Sequence, residues 1–344
     1  VTQYHPHVCG VAVAGLAAAL VIAGCGAGAA HRQTHLPGAE PAVSPPLQRA
    51  PAGRIVRVGA AAEGIIAVPR AGVVAVAVRD PDRITLLSLS SGAVVRALRI
   101  AGPARHLALD GPRTLLVPEA PINRLLELDL TRAAAPAGRR TIVTGSLPHD
   151  AAAAGGRVFV ADEFGRAVTV ITPGRPSRRI GGFTQPGGIA TVAGRVALVD
   201  VGADTVSLID PRSRRVIARA RAGAGPTHDV AGPRARLYVA DTRGDALLQF
   251  ATRPRLRLVD RLALPGTPYG IASDPRRGRL WVTLTATNTL VELDDRTPAL
   301  RVLARYPTVR QPNSVAVDPA TGAVYVAGAD AGVVEEISAR PGPS

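Results

Sequence analysis

The chain is 344 residues long, 47% hydrophobic but only 3% aromatic, and carries a formal charge of +15 with every one of its 41 basic residues an arginine. Its 36 Gly and 30 Pro rule out long uninterrupted helices through most of the sequence. The arginines are dispersed and lack the interleaved aromatic rings on which bases stack, so nucleic acid is set aside as a partner, and the codon bias of a GC-rich genome accounts for the charge.

Val8 to Ala30 is an uncharged run, apolar from Val11 to Ala23, that passes through Ile22-Ala23-Gly24-Cys25. An apolar stretch followed by small residues reads as a secretory signal, and residues 1–25 are assigned to it. The small-small-Cys ending resembles the lipobox of bacterial lipoproteins, which implies lipidation at Cys25. An uncleaved membrane anchor is the open alternative, because an uncharged run of this length is able to span. Both readings put the rest of the chain outside the cytoplasm, held at the cell membrane. Cys9 then leaves with the signal and Cys25 carries the lipid, so the folded domain is expected to have neither free thiol nor disulfide. Residues 26–53, with Pro37, Pro41, Pro45 and Pro46, read as a flexible tether.

From residue 54 the chain repeats itself. GPTHDVAGPRARLYVADTRGDALLQF (225–250), TPYGIASDPRRGRLWVTLTATNTLVEL (267–293) and QPNSVAVDPATGAVYVAGADAGVVEEI (311–337) share one order: turn, short apolar strand, turn, apolar strand, turn, apolar strand. One slot of the repeat falls at Glu63, His106, His149, Gly187, His228, Tyr269 and Asn313, spaced 43, 43, 38, 41, 41 and 44 residues apart. Periods of this length with several short strands per unit are those of β-propellers. Second strands are predicted near 73–76, 114–117, 157–160, 196–199, 237–240, 280–283 and 324–327. Fourth strands such as 215–219 and 301–305 alternate apolar residues with Arg, as a strand with one wet face does. The last repeat stops after its third strand, and Ile55 to Val58 are placed to supply the missing one. The expected fold is all-β: a single seven-bladed β-propeller of four-stranded blades over 54–338, closed by the N-terminal strand pairing into the last blade, with 339–344 as a tail.

The blocks ADTVSLIDPRSRRVIARA (203–220) and QPNSVAVDPATGAVYVAGA (311–329) resemble bacterial YVTN/NHL-type repeats, which implies the same seven-bladed fold. The single Trp281 and the lack of a Trp-Asp pair depart from WD40 and kelch patterns, and the scarcity of Trp disfavours a quinone.

No HExxH, GxSxG, P-loop or EF-hand spacing is present, so candidate chemistry is positional. Glu63, His106, His149, His228, Tyr269 and Asn313 form a polar binding ring at the channel mouth. Three neutral imidazoles with one open position make a catalytic zinc set, in which the nitrogens must converge to about 3–3.5 Å. Propeller lyases of the peptide-amidating type have a similar placement of zinc-binding His at inner-strand starts. A second periodic slot, Glu119, Asp162, Asp200 and Asp241, ends the second strands. Glu119, Asp162 and Asp241 are candidate partners that fix the tautomers of His106, His149 and His228; the alternative is that they are turn formers accepting backbone N–H bonds. Asp150 and Asp229 are ambiguous in the same way, and Arg105 is a candidate anion clamp.

Two functions stay open. One is a cell-envelope, lipid-anchored binding module, monomeric, with no assured cofactor, that takes a small ligand or an envelope protein on the mouth face. The alternative is a metal-dependent lyase or lactonase-like hydrolase, with zinc on His106, His149 and His228 and with Tyr269 or Glu63 as acid or base.

Overall fold

The middle strands of the repeat are apolar on both faces because both are covered. Val73–Val78 (VVAVAV) is buried along its whole length, whereas the outer strand Arg215–Arg221 alternates exposed residues, three Arg and Ile217, with half-buried apolar ones. A computed structural model describes residues 40–130 and 138–338 and resolves this pattern into seven four-stranded antiparallel sheets set in a ring. The proposed signal with Cys25, residues 26–39 of the proposed tether, and the tail lie outside the described residues.

Each blade runs outward from the central channel. The innermost strands of blades one to seven are Ala62–Val68, Ala108–Asp110, Pro148–Ala154, Pro186–Val192, Pro226–Ala231, Pro268–Asp274 and Pro312–Val317. The second strands, Val73–Val78, Thr114–Glu119, Arg157–Asp162, Arg195–Asp200, Arg236–Asp241, Arg279–Leu284 and Val324–Gly328, cover every position expected for them. Blades meet face to face through apolar side chains, and each of the seven seams has its own cluster. Val199, Val206, Leu237 and Phe250 fill the seam between blades four and five, and Val76, Val78, Tyr325 and Val334 fill the one between blades one and seven.

The ring closes as the repeat count requires. Arg54–Arg57 is the outer strand of blade seven and pairs antiparallel with Val333–Ile337, Arg54 opposite Glu336 and Val56 opposite Val334. Without it the last blade would present an unpaired edge.

Residues 40–53, assigned to the flexible tether from their proline content, are anchored along the mouth side of blades six and seven. Ser44 is buried; its Oγ donates to the Thr285 carbonyl (2.6 Å) and its N–H to Gln311 Oε1 (3.0 Å). Asn288 Nδ2 donates to the Pro45 carbonyl at 2.9 Å. The segment has no regular secondary structure of its own, so these side-chain bonds do the holding. It carries Glu40 to the channel mouth.

Candidate functional site at the channel mouth

The slot residues converge because the inner strands are irregular where they begin. In blade three the pairing with the second strand slips between Pro148 and Asp150, in blade five between Pro226 and Asp229, and in blade six between Pro268 and Ile271. Blades one, four and seven slip at the same place. A bulge frees one residue from the ladder and re-aims its side chain, here His149, His228 and Tyr269 toward the axis. In blade two the inner strand starts only at Ala108, so His106 approaches from the loop before it.

Glycine follows the slot where the next blade comes closest. A Cβ on Gly64 would lie 3.1 Å from His106 Cα and 2.7 Å from the Arg105 carbonyl oxygen. One on Gly188 would lie 2.9 Å from His228 Cα and 2.7 Å from the Thr227 carbonyl oxygen. The imidazoles reach the axis because these two positions lack a side chain.

The three rings form one cluster. His106 lies 4.5 Å from both His149 and His228 by ring centroid, and His149 and His228 stack at 6.2 Å with 16° between planes. The Tyr269 ring meets His228 edge-on at 4.4 Å. His228 Nδ1 is 3.1 Å from the Tyr269 carbonyl oxygen, and its Nε2 is 3.1 Å from His106 Nε2. A carbonyl only accepts, so Nδ1 of His228 carries the proton and its Nε2 is the acceptor. His106 must then donate from Nε2. His149 has a backbone hydrogen bond with Gly187, and its Nδ1 is buried without a partner.

All three imidazoles are held neutral. Burial takes His106 and His149 well below the usual 6.5; the two neighbouring rings add to this for His106, and Arg105 and His228 add to it for His149. His228 is lowered to about 4 by burial, against the pull of its bond to the Tyr269 carbonyl.

The rest of the ring is charged and paired. Glu63 is buried and ion-paired with Arg79, and Arg105 Nε stands 3.4 Å from its Oε1. Arg105 also grips Glu40 with both terminal nitrogens, Nη1 to Oε1 at 3.1 Å and Nη2 to Oε2 at 2.6 Å. The anion clamp suggested by Arg105 is therefore filled from within the chain. Glu163 accepts from Gln185 Nε2 at 2.8 Å beside it, and Asn313 Oδ1 accepts from Gln311 Nε2 at 3.0 Å. Burial raises the Tyr269 phenol far above its ordinary value, so it keeps its proton and serves as a hydrogen-bond donor. Glu63, held between two guanidiniums, is poorly placed for the base role suggested for it.

The second periodic slot does something other than orient imidazoles. Glu119 Oε1 accepts from the N–H groups of Ala101 (2.7 Å) and Gly102 (3.1 Å). Asp162 accepts from Gly145 N–H and Thr169 Oγ1, Asp200 from the N–H groups of Thr184 and Gln185, and Asp241 from those of Ala224 and Gly225. Each acid pins the loop that enters its own blade. That loop has backbone donors to satisfy, and they take the carboxylates that the sequence reading offered to His106, His149 and His228.

Of the proposed metal set, His106 and His228 bring their Nε2 atoms to 3.1 Å, within the span that a shared ion requires. Among the described residues, however, no group of three or more His, Cys, Asp or Glu is arranged to hold an ion.

Glu40 and Arg79 had no periodic signal in the sequence. Glu40 lies in a proline-rich stretch, and Arg79 is one arginine among 41.

No family model matches the chain, and no curated protein matches it. Solved structures share its fold. A streptogramin B lyase superposes with a TM-score of 0.70 at 12% identity, over 82% of this chain and 96% of that one. Virginiamycin B lyase from Staphylococcus aureus gives 0.70 at 13% identity, over 83% and 99%. The β-propeller domain of Cps50 (Swd1) from Myceliophteria thermophila gives 0.71 at 12%, over 83% and 99%. At such identities the likeness is one of fold, and the fold serves a lyase and a Swd1 propeller alike.

Proposed function

We propose that the protein is a cell-envelope binding module whose mouth face receives a carboxylate-bearing ligand or an acidic segment of an envelope protein. The observation that carries this reading is Arg105, a bidentate clamp on the axis rim beside the imidazole cluster, closed by Glu40 from the chain's own strap. A two-pronged guanidinium–carboxylate pair gives geometric selectivity as well as attraction. Glu40 is more than half exposed on its side chain, so an external carboxylate is able to compete for its place.

Glutarate and an acidic hexapeptide are suitable probes. Glu40→Gln frees the clamp and is expected to raise affinity for both by about tenfold, and Arg105→Gln is expected to abolish binding. Unchanged affinity in both variants would remove the mouth face from the account. The lipid anchor at Cys25 belongs to the same proposal: Cys25→Ser should release the protein from membranes, and retention would favour a spanning helix.

A second reading, a lyase or hydrolase, draws on the unpartnered Nδ1 of the neutral His149 and on the donor phenol of Tyr269. Its metal-dependent form requires His106 and His228 to give up their mutual bond and re-aim. Zinc that shifts the ring signals of all three histidines together would favour it.

A further inference from the structure

The central channel holds two acids that neither the mouth nor the loops use. Asp150 and Asp229 follow His149 and His228 and so share one register in blades three and five. Blade four lies between them and carries Gly188, which has no side chain, at that register. Both line a cavity of about 450 Å³ that runs from His106 and His228 at the mouth to exposed Thr191 at the far end of the inner strands. Aliphatic side chains such as Ile65, Ala67, Ile189 and Val315 line it together with polar Ser273, Asn313 and Ser314.

The two acids differ from the other acids already described. Asp150 accepts from the Ala151 N–H (2.8 Å) and, weakly, from the Ile189 N–H (3.3 Å). Both carboxylate oxygens of Asp229 are shielded from solvent with no partner on another residue, and the Ser273 hydroxyl in the same lining is also buried and unpartnered. Among the described arginines, not one lines this cavity. The other titratable side chains in the lining are His106 from blade two and His228 from blade five; among the described residues, blades one, four, six and seven contribute none.

We propose that the channel binds a small organic cation, a protonated amine on an apolar body, with the ammonium between Asp150 and Asp229 and the body against the aliphatic walls. The volume is that of a small-molecule site and far exceeds what a bare ion fills. Among the described residues, no group of three or more acidic or imidazole side chains is arranged to hold a metal ion. Below about pH 7 and without the cation both acids hold protons: burial raises Asp150 to about 7, and burial followed by repulsion from Asp150 raises Asp229 well above its ordinary value. Entry of the ammonium displaces a proton, so affinity rises with pH while the amine itself stays protonated.

Calorimetric titration of the full chain with benzylammonium, benzyl alcohol, Mg²⁺ and Ca²⁺ tests this. Benzylammonium is expected to bind once per chain, about tenfold more tightly at pH 8 than at pH 6, and at least about tenfold more tightly than the alcohol. Asp229→Asn is isosteric and replaces a carboxyl that is neutral in the free protein; it should fold and lose at least about tenfold in affinity. Asp210→Asn, at the end of the third strand of blade four and outside the cavity lining, should leave affinity unchanged. If Asp229→Asn fails to fold, Asp150→Asn is read in its place, and the amine–alcohol comparison needs no variant. No saturation by about 10 mM amine, equal binding of alcohol and amine, undiminished binding in the Asn variants, or tighter binding of either metal would overturn the proposal. Because Arg105 and Glu40 do not line the cavity, failure here leaves the mouth reading standing, and the reverse holds too.

Discussion

Deleting Arg54–Arg57 is expected to lower the melting temperature by about 10 °C or more and to make the protein self-associate, from a loss of roughly 3–5 kcal/mol. The deletion strips the outer strand from blade seven and bares Val333–Ile337, whose Val333 and Val334 are buried in the closed ring. It also removes the ion pair of Arg54 with Glu336 and breaks the course of Gly53, whose N–H donates to the buried Glu335 at 2.7 Å. An unpaired apolar edge is a template for another chain. Scanning calorimetry and gel filtration report both effects. A melting temperature within about 2 °C of the parent would mean that ring closure contributes little.

Gly188→Val should cost about 3 kcal/mol and disperse the imidazole cluster. The new Cβ meets backbone atoms, the Thr227 carbonyl oxygen at 2.7 Å and His228 Cα at 2.9 Å, which have no rotamer to yield. Blade five must move outward, and His228 with it, so its ring should recover a pKa closer to the usual 6.5 as water reaches it. Gly181→Ala is the control: an added methyl there meets nothing within 4 Å, and a change within about 0.5 kcal/mol is expected. Denaturant melts of the two variants make the comparison, and equal losses would show that close approach at Gly188 does not govern the site.

The fold was legible because a propeller writes itself into the sequence as a period. Slot spacings of 38 to 44 residues, with a missing fourth strand at one end and a spare strand at the other, determine both blade number and closure. The slot itself was legible for the same reason, and His106, His149, His228 and Tyr269 do meet. Its chemistry was harder to read, because function depends on which lone pairs remain after the backbone has been satisfied. Spacing puts Glu119, Asp162 and Asp241 at the same end of the blades as the histidines, but loop N–H groups claim them. The His106–His228 bond joins residues 122 apart, and no local pattern encodes it. Glu40 was hidden by composition: a proline-rich stretch reads as unattached, although Ser44, Gln311 and Asn288 fasten it. Asp150 and Asp229 became interpretable only once they were seen together in one arginine-free lining.

The site rests on three imidazoles gathered in one shielded cluster and kept neutral by it. Their folded values lie below the unfolded one, so the unfolded chain binds more protons between about pH 4 and 6.5, and the cluster costs stability as pH falls through that window. NMR titration of the histidine ring signals measures this directly. His106, His149 and His228 are expected to stay unprotonated through pH 6, with His228 titrating near 4 and carrying its proton on Nδ1. Three rings that titrate independently near 6.5 would contradict the account, because the blades would then not bring them together.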